Sequence, residues 1–237
     1  MLETLCDVIE PWEHGEVLLA PDYPNYWNYN VVQVEGDPGL SAAELIAVAD
    51  EKLAAYKHRR LDFLDADAAE SVRADLEAAG WLTSRLVWMG HSKSLPPGSS
   101  ADVEEVDYDA VVDLRREWND EDYPDIDQES HLETAKGVSM TRGVRVLASL
   151  EDGEPVGFAQ IEFIDGDAEI THVFVSASHR GSGRGTAITR AAIEAAVNDV
   201  ENLWIIADDE DRPKELYKRL GFQPAWTSTE FLRLPEA

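Results

Sequence analysis

The sequence has very little cysteine and no long apolar run. Cys6 is its one cysteine, which excludes a disulfide framework within the chain and a zinc cluster built on cysteines. No apolar stretch approaches the ~20 residues that a membrane-spanning helix needs. Residues 1–4 show neither the basic start nor the apolar core of a signal peptide. The six histidines show no metal-ligand spacing. These absences predict a cytoplasmic protein without a membrane segment or a metal.

Positive charge is also scarce. The chain carries 48 acidic and 20 basic residues, a net charge of −28, and lysine supplies six of the basic ones. A carboxylate-rich, lysine-poor surface is typical of a halophilic protein, because molar salt shortens the Debye length to ~3 Å and screens the repulsion. A surface that attracts a cationic partner is the alternative, but the acidic residues are spread along the whole chain. No basic stripe is present to neutralise phosphates, so nucleic-acid binding is disfavoured.

Residues 92–101 mark the clearest break in the chain. They read Ser-Lys-Ser-Leu-Pro-Pro-Gly-Ser-Ser-Ala, a composition that is typical of a linker. Hydrophobic residues make up 44% of the chain, which is enough for a packed core on either side of this break. We therefore predict one domain at residues 1–91 and a second at residues 102–237.

The second domain shows a readable order of elements. Asp-Gly pairs at Asp152 and Asp165 predict two hairpin turns, and Pro213 and Gly221 delimit the last helix. The pattern predicts an α/β fold with a mostly antiparallel start and one parallel crossover. The predicted elements are strands at 103–106, 145–150, 156–163, 168–175 and 203–207, helices at 109–119, 128–136, 183–198 and from 213, and a strand pair at 225–234.

The first domain resembles a partial copy of the second at a shift of 141 residues. Four landmarks coincide without a gap: Val34 with Val175, Ser41 with Ser182, Gly80 with Gly221 and Trp81 with Phe222. Strand-like residues 26–34 and 61–64 and helical residues 42–57 and 68–79 match elements of the second domain. This likeness predicts an internal duplication. A chance likeness between two strand-helix-strand-helix units is the alternative.

The strongest chemical signal is a glycine-rich turn at residues 173–185. A strand leads through Arg180, Gly181, Gly183, Arg184 and Gly185 into a helix. A helix N-terminus presents unpaired N–H groups and a partial positive charge, and glycines let an anion approach the backbone closely. With two arginines beside it, this turn has the parts that a pyrophosphate site needs.

Several readings of the turn compete. The glycine spacing fails the dinucleotide-binding fingerprint, and the lysine of a phosphate-binding P-loop is absent. The alternative is a glycine-rich turn with a structural role that binds no ligand. The spacing Arg-x-x-Gly-x-Gly at Arg180, Gly183 and Gly185 matches the acetyl-CoA motif of the GNAT acetyltransferases. Residues 216–222, Leu-Tyr-Lys-Arg-Leu-Gly-Phe, resemble the last helix of that family. The likeness covers about residues 102–234.

The resemblance implies an α/β (α+β) GNAT fold, with a mixed, mostly antiparallel sheet flanked by helices and preceded by a partial GNAT-like unit. It implies that acetyl-CoA is the co-substrate and that the acceptor is an amine. Tyr217 corresponds to a tyrosine that lies near the CoA sulfur in many members, where it can protonate the leaving thiolate; a core aromatic on an amphipathic helix is the alternative. The residues implied in cofactor binding are Phe174, Val175, Arg180, Gly181, Ser182, Gly183, Arg184, Gly185 and Thr186.

Amine acylation also needs a proton acceptor, because a primary amine has a pKa near ~10 and is charged at neutral pH. Glu169 is our first candidate, since some family members place a catalytic glutamate on this strand. Glu162 on the neighbouring strand is the second, and His172 is a further option. The alternative for either glutamate is a charged group at a strand end. We expect the backbone amide of Val175 to hold the oxyanion.

Some positions depart from the family pattern. Glu210 and Pro213 stand where many members carry an asparagine and an alanine. In the first domain, residues 39–44, Gly-Leu-Ser-Ala-Ala-Glu, stand where the turn has residues 180–185, so both arginines and all three glycines are replaced and this copy should not bind CoA. The aromatic residues at 23–29 are interpreted as a core strand, with an acceptor pocket as the alternative.

The identity of the acceptor is not readable from the sequence. A small-molecule amine and a protein amine both fit, and the protein is expected to act as a monomer or homodimer. An acyl-CoA-binding sensor or scaffold without turnover is the alternative function. A nucleotide-binding regulator that uses the glycine turn for another phosphate is a third hypothesis.

Overall fold

The computed structural model describes residues 6–123 and 126–235, which fall into two compact units. Unit 1 comprises residues 1–88, 208–211 and 226–237, and unit 2 comprises residues 89–207 and 212–225. Each unit contains a mixed sheet flanked by helices, which confirms the predicted fold class. Among the described residues, no helix is long and apolar enough to cross a membrane. The functional division at residues 92–101 stays a prediction.

Unit 1 is built on strands paired in the order β1-β2-β3-β4-β11-β5. The pairing of β3 with β4 is parallel, and β1 with β2, β2 with β3, and β4 with β11 are antiparallel. Its elements are β1 (Val8–Trp12), β2 (Gly15–Leu19), β3 (Val31–Val34), α1 (Ala42–Lys52), β4 (Arg59–Phe63), α2 (Ala66–Ala78), β5 (Leu82–His91) and the C-terminal part of β11 (Phe222–Arg233).

The two faces of this sheet differ in chemistry. Alternate residues such as Leu61, Phe63 and Phe231 pack with α1 and α2 into a fully buried apolar core. The residues between them place a charged network on the opposite face. There Arg60 donates to both oxygens of Asp62, at 2.7 and 3.1 Å, and lies 2.5 Å from Glu230.

Unit 2 contains strands paired in the order β10-β9-β8-β7-β6. Only the pairing of β9 with β10 is parallel among these neighbours in the described chain. Its elements are β6 (Val103–Val106), α3 (Val112–Asp122), α4 (Gln128–Arg142), β7 (Arg145–Glu151), β8 (Glu154–Ile164), β9 (Asp167–Val175), α5 (Arg184–Ala196), β10 (Leu203–Asp208, its last residue in unit 1) and α6 (Pro213–Arg219).

Helices cover both faces of this second sheet. Helix α5 buries Ile188, Ala192 and Ile193, which recur at helical spacing, and Ile188 approaches Gly157 of β8. Helix α3 and the short 3-10 turn before it pack with Phe158 and Phe174 on the other face. That other face also carries the polar residues of the candidate site.

Most predicted elements are confirmed, and four need correction. The helix predicted at 128–136 continues to Arg142. The final strand pair at 225–234 is one long strand, β11. Residues 26–30 form turns, so the strand predicted at 26–34 is only β3, although Tyr26, Trp27 and Tyr29 are buried as expected of a core. The helix predicted at 42–57 ends at Lys52. Both Asp-Gly hairpin turns are confirmed, with positive φ angles at each residue, +52° and +87° in the first.

Candidate active site

The glycine turn links β9 to α5 through backbone that only glycine adopts easily. Gly181 and Gly183 have φ angles of +78° and +89°. Gly183 is the N-cap of α5, and no side chain caps the helix start. The first N–H groups of α5 are therefore not satisfied by a capping side chain, and they can donate to an anion. Ser182 is exposed and donates to the carbonyl of His179 at 2.6 Å.

The two arginines of the turn have different positions. Arg180 donates through Nε to the carbonyl of Val175 at 2.8 Å, lies over the Phe174 ring and pairs with Glu121 of α3 at 2.7 Å. Arg184 points to the end of β7, where it donates to Ser149 and pairs with Glu151. Arg180 therefore lies beside the turn, next to α3, whereas Arg184 links the first turn of α5 to the end of β7.

A gap opens between β9 and β10 just before the turn. Their parallel pairing covers Ala168–Ile170, while β9 continues to Val175. The N–H of Ser176 donates to the carbonyl of Val156 at 3.0 Å, so the adjacent position Gly157–Val175 is a non-hydrogen-bonded pair. The backbone groups of Val175 consequently face the gap. Those of Phe174 face β8 by the same alternation, which differs from the expectation that both residues offer backbone groups to the cofactor.

Both candidate glutamates lie on the sheet face below α3 and α4. Glu162 of β8 and Glu169 of β9 are cross-strand partners. Glu162 is buried and forms an ion pair with Arg142 of α4. Burial raises the pKa of Glu162 above its ordinary value, against the opposing effect of Arg142 and Arg115. The two carboxylates thus form one acidic pair, with buried arginine charge on one side.

His172 occupies a bulge in β9 that the sequence did not reveal. The register with β8 shifts between Phe158 and Gln160, and β9 holds one extra residue there. His172 has a φ angle of +55°, a conformation that costs a non-glycine residue on the order of 1–3 kcal/mol. A left-handed residue inside a strand leaves no periodic signal, because the apolar alternation around it continues.

Tyr217 lies in α6 with its side chain buried. Burial raises its pKa to about 12, so the hydroxyl keeps its proton at neutral pH. The neighbouring residue, Leu216, comes close to the turn: a Cβ atom on Gly185 would lie 3.8 Å from Leu216 and 3.8 Å from Val175. These distances are ordinary van der Waals contacts, and they place Leu216 of α6 beside the start of α5. Thr186 is half-buried in the first turn of α5.

In unit 1, side chains of the chain itself occupy the start of helix α1. Ser41 caps α1, and Glu44 accepts hydrogen bonds from the Ser41 N–H at 2.9 Å and hydroxyl at 2.7 Å. A carboxylate of the chain itself thus occupies the helix start. Strand β3 pairs with β4 up to Val34, its last residue, so the gap seen beside β9 has no counterpart here.

Glu210, which stands where many relatives have an asparagine, belongs to unit 1. Both of its carboxylate oxygens accept from Arg73 of α2 at 2.9 Å, and these bonds lower the pKa of Glu210. Its side chain therefore has a structural role. Within residues 6–123 and 126–235, no group of three or more His, Cys, Asp or Glu side chains is arranged to hold a metal ion.

The chain is similar to a known protein family, to a characterised relative and to solved structures. Residues 105–222 match the acetyltransferase (GNAT) family model. A segment of 60 residues is 39% identical to the mycothiol acetyltransferase of Nocardiopsis dassonvillei, and it spans 25% of this chain but only 18% of that protein. Two solved structures share the fold. A functionally unknown conserved protein from Staphylococcus epidermidis has a TM-score of 0.71 at 16% identity, covering 96% of this chain and 93% of its own. A GCN5-related N-acetyltransferase from Sphaerobacter thermophilus has a TM-score of 0.58 at 13% identity, covering 96% and 82%.

Proposed function

Since the chain belongs to the acetyltransferase (GNAT) family through residues 105–222, we propose that it is an acetyl-CoA-dependent N-acyltransferase. The acyl group would move to an amine by direct attack, with both substrates bound at once. One observation carries this proposal: the gap beside Val175 leads directly to a helix start that has no capping side chain. A long thioester with a pyrophosphate at one end fits such a combination.

The pyrophosphate would be held by the backbone N–H groups from Gly181 to Thr186. Arg180 would add charge by exchanging Glu121 for a phosphate oxygen, a local change because its Nε stays on the Val175 carbonyl. Arg184 supports the site indirectly, since its bonds to β7 fix the first turn of α5.

The acyl end would lie in the gap beside β9. The Val175 N–H faces this gap and is oriented to stabilise the oxyanion that forms on the acyl carbonyl. Tyr217 supplies a proton to the leaving thiolate, for which a protonated hydroxyl is needed. Glu169 and Glu162 lie on the face below α3 and α4, where they can accept the proton that the acceptor ammonium loses.

The acceptor is proposed to be a small-molecule or protein amine, handled by a monomer or homodimer. Nucleic acid is not expected among the partners, because a chain of net charge −28 repels phosphates. Unit 1 would be a degenerate, non-catalytic GNAT-like copy whose helix start is filled by Glu44. The acidic surface supports a halophilic origin.

A sensor or scaffold that binds acyl-CoA without turnover is the second candidate. The ion pair between Glu162 and Arg142 favours it, since a carboxylate held by a guanidinium is a weaker proton acceptor. The uncapped start of α5 serves both functions equally, so only turnover separates them.

Calorimetric titration with acetyl-CoA in molar KCl, followed by a free-thiol assay over a panel of primary amines, tests the proposal. ATP serves as the competing phosphate ligand in the same titration. Binding of acetyl-CoA with amine-dependent thiol release supports the acyltransferase. Binding without release from any amine favours the sensor, and equal competition by ATP would point to a nucleotide regulator. Absence of acetyl-CoA binding would contradict the site itself.

A further inference from the structure

The bulge at His172 changes which face of the sheet this side chain occupies. Ile170, two residues earlier, is buried on the α5 side of β9. Regular alternation would send residue 172 to the same side. Instead the extra residue turns the imidazole toward α3, where its ring lies 5.5 Å from Trp118 in an edge-on arrangement. Bulges that re-aim a side chain in this way are frequent beside active sites.

The re-aimed imidazole lies between the gap and the glutamates. It precedes Val175, whose backbone faces the gap, by three residues, and it follows Glu169 by three residues. At ~3.4 Å per residue, the strand between Glu169 and Val175 is about 20 Å long. The Glu169 carboxylate is therefore too far from the reacting atoms to contact them without an intermediate group. His172 as a whole residue is half-buried.

The environment favours a neutral ring with one free nitrogen. Nδ1 lies 2.9 Å from the Thr171 hydroxyl, and when Nδ1 donates this bond, Nε2 keeps its lone pair. Burial lowers the pKa of His172 well below its ordinary value, and the positive charges of Arg115, His131 and Arg142 add to this effect. Glu162 and Glu169 are the acidic groups on the same face.

We propose that His172, in place of Glu169 or Glu162, is the catalytic residue that contacts the acceptor, and that its Nε2 takes the proton from the acceptor ammonium. This role rests on the proposed acyltransferase function. The freed amine lone pair forms the C–N bond as the C–S bond breaks, and the Tyr217 hydroxyl protonates the thiolate. The second proton that the nitrogen loses restores Tyr217. The proton on His172 passes to solvent, so one proton is released per acyl group transferred.

His172→Gly provides the sharpest test, because glycine adopts a φ angle of +55° without strain and leaves a space that free imidazole can enter. We expect thiol release with the best amine of the panel to fall about 100-fold, with the acetyl-CoA dissociation constant unchanged. Added imidazole should restore about tenfold of the loss. Asp165→Gly is the matched control, because it makes the same change at a φ angle of +49° in a hairpin turn away from the site.

Two results would overturn the role of His172: thiol release above half of the wild-type rate in His172→Gly, or no recovery with imidazole. Should His172→Gly fail to fold, His172→Asn decides, since asparagine also tolerates a positive φ but cannot accept a proton, and full activity there would contradict the role. A wild-type protein without acetyl-CoA binding or thiol release defeats the proposed function and this role together. An active wild type with an active glycine variant defeats this role alone.

Discussion

Burial controls the protonation of the individual side chains that matter most here. Tyr217 keeps its proton because the hydroxyl is removed from water, whereas the same effect makes Glu162 harder to ionise. One physical cause therefore acts on the proposed proton donor in α6 and on a candidate carboxyl group in β8. Their functions can be tested separately, since each belongs to a different step.

Tyr217→Phe should lower the rate of thiol release about 100-fold and leave the acetyl-CoA dissociation constant nearly unchanged. Phenylalanine keeps the ring contact with Phe222, whose centroid lies 6.3 Å away, but cannot protonate the thiolate. The free-thiol assay and calorimetry on the same preparation measure both quantities. Tyr56→Phe in unit 1 is the control, and an equal rate in both variants would remove Tyr217 from the mechanism.

Glu230 should make unit 1 less stable as the pH rises. Burial raises its pKa to about 7 from an ordinary 4.5, and Asp62 adds to this while Arg60 opposes it. The folded state therefore holds more protons than the unfolded state between these values. Its contribution to the free energy of unfolding is present below about pH 4.5, falls as the pH rises to about 7, and is constant beyond.

Urea unfolding at about pH 5 and about pH 8 measures this effect, with Glu230→Gln expected to reduce the decline. Glu105→Gln is the control that should leave the decline between these pH values unchanged, because the hydrogen bond with Arg145 lowers the pKa of Glu105 from its ordinary 4.5. Its carboxylate stabilises above the unfolded pKa and loses that effect in acid. An unchanged decline in Glu230→Gln would show that other groups set the pH dependence.

At the scale of elements, the two units differ at one helix start, which is uncapped in α5 and capped in α1. We expect a strand-helix junction to bind an anion when glycine precedes the helix, and not when a serine and a glutamate of the chain bond to each other there. Helix starts are therefore where charge changes should have the largest effect on acetyl-CoA binding.

Ser182→Glu should weaken acetyl-CoA binding at least about 100-fold, because it puts a carboxylate beside the expected pyrophosphate. Ser182 is a better position than Gly183, whose φ angle of +89° would strain any side chain. Ser182→Gln is the matched control, since it has the same size without the charge. Calorimetry and thermal unfolding separate lost affinity from lost fold. Equal losses in both variants would mean that bulk, not charge, is responsible.

Regular elements were predictable where a pattern repeats. The helix α5, the hairpin turns at Asp152 and Asp165 and the glycine turn all carry local signals that tertiary packing did not override. The bulge at His172 carries none, because one extra residue in a strand changes register without changing composition. The strand pair predicted at 225–234 is one continuous strand for a related reason: pairing across the sheet holds the segment extended, and this pairing leaves no local signal.

The candidate site was only partly predictable from the sequence. The resemblance to the family implied roles for Arg180 and Tyr217, but it could not show that Arg180 pairs with Glu121 or that Arg184 faces β7. Such partners come from elements far away in the sequence. The backbone direction at Phe174 and Val175 likewise depends on strand register, which a single sequence does not specify.

For the molecule as a whole, the net charge of −28 opposes any anionic ligand. Arg180 and Arg184 offer little long-range attraction, since each already pairs with a carboxylate. The field that acetyl-CoA meets is therefore dominated by the distributed acidic residues. Salt should therefore screen this long-range repulsion more strongly than it weakens the short-range contacts within the site.

We expect acetyl-CoA affinity to rise as KCl increases from about 0.1 M to about 1 M, where the Debye length falls from ~10 Å to ~3 Å. Screening of repulsion outweighs screening of a single arginine, which reverses the usual salt dependence of phosphate ligands. Calorimetry across a KCl series measures this, with Glu121→Gln as a variant in which Arg180 is freed and the trend should flatten. A steady loss of affinity with salt would contradict this account.

The order in which the segments of the two units follow one another along the chain limits how the gene can recombine. Residues 208–211 and 226–237 belong to unit 1, although unit 2 supplies the residues on either side of the first segment and before the second. No single cut in the gene would yield two complete units, because residues 226–233, the part of β11 in unit 1, are encoded after the whole of unit 2. Recombination at one point could not exchange one unit for a relative's without leaving the other unit short of a strand, so the two units would have to be inherited and diverge as one gene.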